Sequence, residues 1–193
     1  MGLSLVTAPT LEPVSLAEAK AHLRVLSSDE DTLIEALVKG AREQAELFTG
    51  RAFVTQTWDF TFDNFPDDDC EMISIPKPKL QSVTHVKYID GALADQTWAS
   101  SNYRVLIDGE RGRIIPVYSG LYPSITTQKN AVSIRFIAGY GDVDDVPQSI
   151  KHAMLLMIGH WFEHREEVIV GTIINQIPFG VEHLLWPYRS MLA

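Results

Sequence analysis

The sequence predicts an α+β fold, in which a helical core carries an inserted, mostly antiparallel β subdomain and an extended C-terminal arm. Apolar residues at helical spacing fill two stretches near the N-terminus and the stretch 147–165, whereas alternating residues fill most of 51–139. Strands grouped between helices are typical of this fold class. We therefore expect one domain over 1–193, with 51–139 as the β-rich insertion and 166–193 as the arm and a short terminal helix.

The composition is that of an ordinary globular protein, because 46% of its 193 residues are hydrophobic and 21% are charged. A formal charge of −9 argues against a broad surface that grips a nucleic-acid backbone. The single cysteine, Cys70, excludes an internal disulfide and fits a reducing compartment. The first residues lack the basic region and apolar run of a signal peptide, so we expect a protein made and used in a cytoplasm.

The N-terminal part is expected to contain an extended arm over 1–14 and then two helices. Ser15 and Glu18 match a capping box, which predicts a short helix to about Leu26. Ser28 or Asp29 is expected to cap a longer helix that ends at Thr49-Gly50. The stripe that faces the core is Ile34, Leu37, Val38, Ala41, Ala45 and Phe48, and the polar face is Lys39, Arg42, Glu43 and Glu46.

The middle of the chain reads as six or seven short strands separated by turn residues. The segments that show this pattern are Val54–Phe62, Met72–Ile75, Val83–Ile89, Thr97–Trp98, Tyr103–Ile107, Arg113–Val117 and Val132–Ile137. A central helix follows over Pro147–Arg165, where proline suits the first turn. Residues Met154–Ile158 are all apolar, which predicts a helix buried on every side at its middle. Such a helix either fills the centre of the domain or leaves one face for another subunit.

The C-terminal part fits no simple element up to about residue 180. Glu166–Gly180 is rich in β-branched residues but has no evident hairpin partner, and Val181–Arg189 indicates a short helix or turn. An apolar arm outside the core is a candidate for packing on a neighbouring subunit. The alternative, that it folds back on its own sheet, is equally open.

No catalytic or metal-binding pattern is convincing. His160 and His164 share one helix face, but their order differs from H-E-x-x-H and no third ligand is evident. The acidic turn Asp67–Glu71 lacks the ligand spacing of a calcium loop, and its charges make Cys70 a poor nucleophile. Gly139-Tyr-Gly141 is not a phosphate loop. We expect no enzyme activity, no metal and no cofactor.

A series of short motifs, taken in order, resembles the head–tail connector (adaptor) family of long-tailed bacteriophages and gene transfer agents. The motifs are Pro13–Arg24, Asp29–Ile34, Ala41–Glu43, Thr49–Arg51, Thr55–Trp58, Leu80–Val83, Ala138–Gly141, Val146-Pro147, His160–Arg165 and Leu184–Arg189. The resemblance covers nearly the whole chain. Each motif is weak alone, and their order and spacing together are fairly specific.

The resemblance implies a non-enzymatic virion protein at the head–tail interface, or neck, made in the bacterial host cytoplasm. Such proteins form a ring beneath the portal protein, extend the DNA channel and dock the next tail-side connector, stopper or terminator protein. The implied partners are therefore the portal, that tail protein, other copies in a twelvefold ring, and passing double-stranded DNA without sequence-specific binding; no membrane is implied. The family's C-terminal segment commonly reaches the portal.

These expectations assign residues to two roles. The portal or subunit interface is expected to use Arg165, Ile173, Ile174, Ile177, Phe179, Leu184, Leu185, Trp186, Tyr188 and Arg189, and the core or ring packing is expected to use Met154, Met157, Trp161 and Phe162. Deleting the residues after Phe179 should then leave the fold intact and stop attachment. Two alternatives remain: a protein- or glycan-binding module carried by the β insertion, and a small metal-dependent hydrolase that uses His160 and His164.

Overall fold

A computed structural model describes residues 1–67, 71–107, 111–117, 120–126, 128–164 and 179–190. The chain divides into two compact units. The sheet unit contains Met1–Pro9 and Thr55–Gly141, and the helical unit contains Thr10–Val54 and Asp142–Ala193. The architecture is the predicted α+β fold, in which all but the first of the described strands lie between helices in the sequence.

The described residues of the sheet unit form two antiparallel sheets. Its strands are β1 (Gly2–Thr7), β2 (Gln56–Phe62), β3 (Ile73–Ser74), β4 (Leu80–Ile89), β5 (Asp95–Trp98), β6 (Tyr103–Leu106), β7 (Arg113–Pro116) and β8 (Val132–Ala138). One sheet has five strands in the order β1-β2-β8-β4-β5, and the other has three in the order β3-β7-β6. Each predicted strand segment overlaps an observed strand. The sequence did not predict β1, because residues 1–14 were expected to form an extended arm; Gly2–Thr7 instead pairs with β2.

The five-stranded sheet has one apolar face and one polar face, as alternating strands do. Cross-strand partners form an apolar row through all five strands, consisting of Leu3, Phe60, Ile134, Val86 and Trp98. The centre of this row is fully buried, since Ile134 and Val86 are each 0% exposed. On the polar face, Ser4, Asp59, Arg135 and His85 form the corresponding row.

An aromatic cluster adds to the core of the sheet unit. The ring of Phe65 stacks on Tyr122 at 5.3 Å and meets Trp98 edge-on at 5.6 Å. Trp98 also contacts Tyr103, with ring centroids 5.0 Å apart. Offset and edge-on pairs of this kind stabilise a core beyond their burial alone. The cluster links the segment after β2 to the end of β5, the start of β6 and the segment after β7.

The helical unit is built from α1 (Leu16–Leu23), α2 (Asp31–Thr49), α3 (Gln148–Glu163) and α4 (Phe179–Leu185). The capping box predicted for α1 is present, because Ser15 Oγ accepts from the Glu18 N–H and Glu18 accepts from the Ser15 N–H. The cap predicted for α2 is wrong. Its N-cap is Glu30, whose side chain makes no capping hydrogen bond.

Helix α3 lies at the centre of the helical unit and packs on α1, α2 and α4. Ile150, Met154 and Ile158 are fully buried, and Met157 is 2% exposed. Within a single chain, however, the helix is not buried on every side. Leu155 and Leu156 are half-buried and His160 is exposed, so one face of α3 remains partly open to solvent. No helix in the described ranges is long and apolar enough to cross a membrane.

Candidate interaction surface

The C-terminal segment 179–190 is held firmly by its own helical unit. In α4, Val181 is 0% exposed and Leu185 is 1% exposed, and this helix packs on α3 and α2. The segment is also joined to the end of α2, since the Ser190 N–H donates to the Thr49 carbonyl at 2.7 Å. Arg51 Nε donates to the Tyr188 carbonyl. These contacts fix the position of the exposed side chains that lie between them.

Three side chains form an aromatic and cationic patch, which we call the Trp–Arg surface: the exposed Trp186 and Arg189 and the half-buried Phe48. Trp186 is 53% exposed at a short 3₁₀ turn, Trp186–Tyr188, that begins directly after α4. The Arg189 guanidinium lies 5.2 Å from the centroid of the Trp186 ring and 5.6 Å from that of Phe48. Stacking on both rings orients the guanidinium and leaves its N–H groups available for an acceptor.

The Trp–Arg surface combines two residue types that are common at protein interfaces. Tryptophan and arginine are enriched among the residues that dominate binding energy at protein interfaces. A stacked guanidinium loses less side-chain entropy when a partner carboxylate binds it, because its rotamers are already restricted. The surface therefore suits a partner that brings an apolar contact and a carboxylate.

The predicted interface residues fall into three groups. Trp186 and Arg189 are exposed, and Leu184 and Tyr188 are half-buried. The prediction of Leu185 as an interface residue is wrong. Its side chain belongs to the core, because the i, i+4 spacing from Val181 turns both side chains inward against α3. Phe179 begins α4, and its side chain lies outside the described part of the chain, as do the residues Arg165, Ile173, Ile174 and Ile177.

The four predicted packing residues do not share one environment. Met154 and Met157 are buried within the helical unit, whereas Trp161 and Phe162 are half-buried. The Trp161 ring lies beside α2 at Gly40, where an added Cβ would meet Trp161 Cζ3 at 3.7 Å. Trp161 thus covers a glycine on the neighbouring helix of its own chain.

The helical unit also contains a buried ionic network that the sequence did not predict. Arg42 is 5% exposed and donates to Glu12 at 2.7 Å and to Glu46 at 2.8 Å. Glu46 also accepts from the Phe53 N–H at 2.7 Å. Burial lowers the pKa of Arg42, but the charges and hydrogen bonds of Glu46 and Glu12 outweigh it and raise the pKa above its ordinary value. The sequence placed Arg42 and Glu46 on the polar face of α2, which is wrong for both.

The histidine pair on α3 adopts an arrangement that suits a helix end. The rings of His160 and His164 are 4.7 Å apart, and Nδ1 of His164 lies 3.0 Å from the His160 carbonyl oxygen. Within the ranges that the structure describes, no three histidine, cysteine, aspartate or glutamate side chains are grouped as metal ligands. Asp68, Asp69 and Cys70 of the acidic turn lie outside those ranges.

The polar face of the five-stranded sheet carries a second charged cluster. Arg135 makes two hydrogen bonds to Asp59, at 2.8 and 2.7 Å. These bonds hold the pKa of Asp59 below its usual value. Burial and the neighbouring cations Lys87 and Arg135 lower the pKa of His85, which favours its neutral form. The face is therefore polar, and the cations Lys87 and Arg135 both lie close enough to Asp59 to lower the pKa of its carboxyl group.

The chain is similar to one known protein family and to chains in solved structures of gene transfer agent particles. The model of the head completion protein family matches residues 12–190. A chain in the neck of an empty gene transfer agent (GTA) particle, computed with C6 symmetry, is 25% identical with a TM-score of 0.81, over 100% of this chain and 97% of that chain.

Two further GTA structures have the same fold. A chain in the virion of a native GTA particle is 24% identical with a TM-score of 0.81, and one in the neck of a native GTA particle computed with C12 symmetry is 24% identical with a TM-score of 0.78. Each match covers 100% of this chain and 97% of the other. No curated protein is similar enough to this chain to count as a match.

Proposed function

Because the chain belongs to the head completion protein family, it is a structural head–tail connector of the virion neck, and we propose that it works there as a closed ring beneath the portal protein. The single observation that carries the assignment is the family match over residues 12–190. The likeness to a GTA neck chain, over 100% of this chain and 97% of that chain, supports it. The expected absence of enzyme activity is part of the same proposal.

We propose a ring of twelve copies that extends the DNA channel and docks the next tail protein. A ring contact is heterologous, so that one surface of a copy meets a different surface of its neighbour. Within the described residues, the exposed edge strand β1, the partly open face of α3 and the Trp–Arg surface are three different surfaces available for such a contact. A net charge of −9 fits a channel protein that lets DNA pass without gripping its phosphates.

The Trp–Arg surface is proposed as the contact with the portal. Its position is fixed by Arg51 and Thr49, whose bonds to Tyr188 and Ser190 hold the turn that carries Trp186. A preorganised tryptophan and arginine contribute more to affinity than mobile ones, because less entropy is lost on binding. Arg189 would pair with a portal carboxylate, in the bidentate geometry that guanidinium groups favour.

A gene deletion tests the neck function directly. Particles assembled without this chain should accumulate as DNA-filled heads and separate tails, and the purified chain should restore joined particles. Joined, infectious or transfer-competent particles in the complete absence of the chain would contradict the connector function. The matched control is restoration by the Leu26→Ala variant, because Leu26 is 98% exposed and lies outside every surface named above.

A further inference from the structure

The outer edge of β1 lacks the features that usually protect an edge strand from pairing with another chain. β1 is the terminal strand of its sheet and, among the described strands, pairs with β2 alone. All six of its residues are exposed, and the strand Gly-Leu-Ser-Leu-Val-Thr contains neither a charge nor a proline. Natural proteins usually protect such edges with lysine, proline, shortness or a cover, since an open edge recruits other strands. This edge is therefore expected to be covered when the protein is assembled.

The other sheet edges carry some of these protections. β5, at the opposite edge of the five-stranded sheet, is four residues long and begins with Asp95. In the three-stranded sheet, β3 has two residues, and β6 has four and includes Arg104. Among the described strands, β1 is therefore the one long, uncharged edge that needs a partner.

The side chains of β1 also need a partner. Leu3 and Leu5 are 40% and 46% exposed, although both lie on the apolar face of the sheet. Leu3 lies at one end of the apolar row and Trp98 at the other. The Trp98 side chain is only 5% exposed, whereas Leu3 is not covered. A strand added beside β1 with the same face inward would extend this row and reduce the exposed area of both leucines.

The strand order determines which pairing a ring can use. Neighbouring strands in the order β1-β2-β8-β4-β5 are all antiparallel, so the two edge strands of this odd-numbered sheet run in the same direction. Copies related by rotation in a ring keep the same orientation, and so β1 of one copy would meet β5 of the next in parallel. Pairing of β1 with β1 would instead need a twofold axis and would close as a dimer.

We propose that β1 of each copy pairs in parallel with β5 of the next copy, so that the five-stranded sheets join into one continuous sheet around the ring. Leu3 then lies beside Trp98 of the neighbouring copy, and the apolar face continues from copy to copy. Five strands occupy about 24 Å, so twelve copies with strands along the ring axis would give a diameter of about 90 Å, which is wide enough to surround a DNA duplex. This pairing rests on the proposed ring.

Cysteine cross-linking tests the pairing. In a Cys70→Ser background, Leu3→Cys and Gln96→Cys are placed together, because both side chains lie on the apolar face and both are exposed. A short bismaleimide should produce a ladder of covalent oligomers beyond the dimer, in concentrated solution and on heads that carry the chain. Thr97→Cys replaces Gln96→Cys in the matched control, since Thr97 lies on the opposite face, and should give at least tenfold less ladder.

The outcomes separate the pairing from the neck function. Dimers formed by the Leu3→Cys variant alone would show β1 paired with β1 and would overturn the proposal. A folded double variant that gives no ladder in either preparation would also overturn it. Attachment to heads is scored in the same samples: attachment without a ladder contradicts the pairing alone, whereas a ladder without attachment supports the pairing and contradicts the neck function.

Discussion

The side chain of Arg51 donates a hydrogen bond to the backbone carbonyl of Tyr188, which joins the residue after the α2 cap to the last turn of the described chain. The Ser190 N–H donates to the Thr49 carbonyl beside it. Together with buried Val181 and Leu185, these bonds make 179–190 an integral part of the helical unit. The expectation that residues after Phe179 can be deleted without harm to the fold is therefore wrong.

Leu185→Ala should lower the free energy of unfolding by about 2–5 kcal/mol, because the side chain is 1% exposed and its loss leaves a cavity against α3. Urea unfolding followed by circular dichroism measures this change. Leu47→Ala is the matched control, since Leu47 is 76% exposed, and should change stability by less than about 0.5 kcal/mol. Equal effects of the two substitutions would contradict the assignment of Leu185 to the core.

The elements that the sequence predicted well are those with a strong local signal. The capping box at Ser15 and the alternation in Val132–Ala138 depend on neighbours in the chain, and both were predicted correctly. The burial of Arg42 depends on Glu12, which is thirty positions away in the sequence, and no local pattern predicts this contact. Strand β1 was missed for the same reason, since its partner β2 lies far along the sequence and β1 buries no side chain of its own.

Arg42→Met should lower the free energy of unfolding by about 3–5 kcal/mol, because it leaves the buried Glu46 carboxylate without its cation. The double variant with Glu46→Gln should recover part of this loss, since the amide oxygen introduced by that substitution can still accept from the Phe53 N–H. Urea unfolding of the native chain, the two single variants and the double variant gives the coupling free energy between Arg42 and Glu46.

Glu43→Ala is the control for the network. Glu43 lies 3.4 Å from Arg42, but its side chain is 59% exposed, so its removal should cost less than about 1 kcal/mol. A loss as large as that of Arg42→Met would mean that the exposed pair, and not the buried one, stabilises the helical unit.

The Asp59–Arg135 pair should make stability depend on acid pH. The hydrogen bonds from Arg135 hold the pKa of Asp59 below its unfolded value of about 3.9. The pair therefore stabilises the fold fully above about pH 4, and this contribution is lost as the pH falls through the lower folded pKa. The melting temperatures of the native chain and Arg135→Gln should differ at pH 6 and converge toward pH 2. A difference that persists unchanged at pH 2 would contradict this linkage.

Trp186→Ala should weaken attachment to heads by about 2 kcal/mol, or roughly 30-fold in Kd, while the chain stays folded. The ring is 53% exposed, and its removal also takes away one of the two surfaces on which Arg189 stacks. Titration of labelled chain against tail-less heads measures the change, with Leu26→Ala as the exposed control. Unchanged attachment of Trp186→Ala would remove the Trp–Arg surface from the portal contact.

The interface residues were predicted less well than the fold, and the reason is physical. Val181–Arg189 was recognised as a short helix or turn, but the sequence could not tell which of its apolar side chains face inward. Leu185 and Trp186 are adjacent in the chain, but their side chains are 1% and 53% exposed. They differ because α4 ends at Leu185 and a 3₁₀ turn begins at Trp186. Phe48 contributes to the same surface from α2, a contact that local spacing does not reveal.

The most direct test of the connector function is a count of bound copies. Purified chain is added to tail-less, DNA-filled heads from the same source, the heads are sedimented, and the copies at each vertex are counted by quantitative fluorescence and electron microscopy. A ring beneath the portal predicts saturable binding of about a dozen copies at the portal vertex alone. Binding that is absent with the chain folded, or that is spread over all vertices, would contradict it.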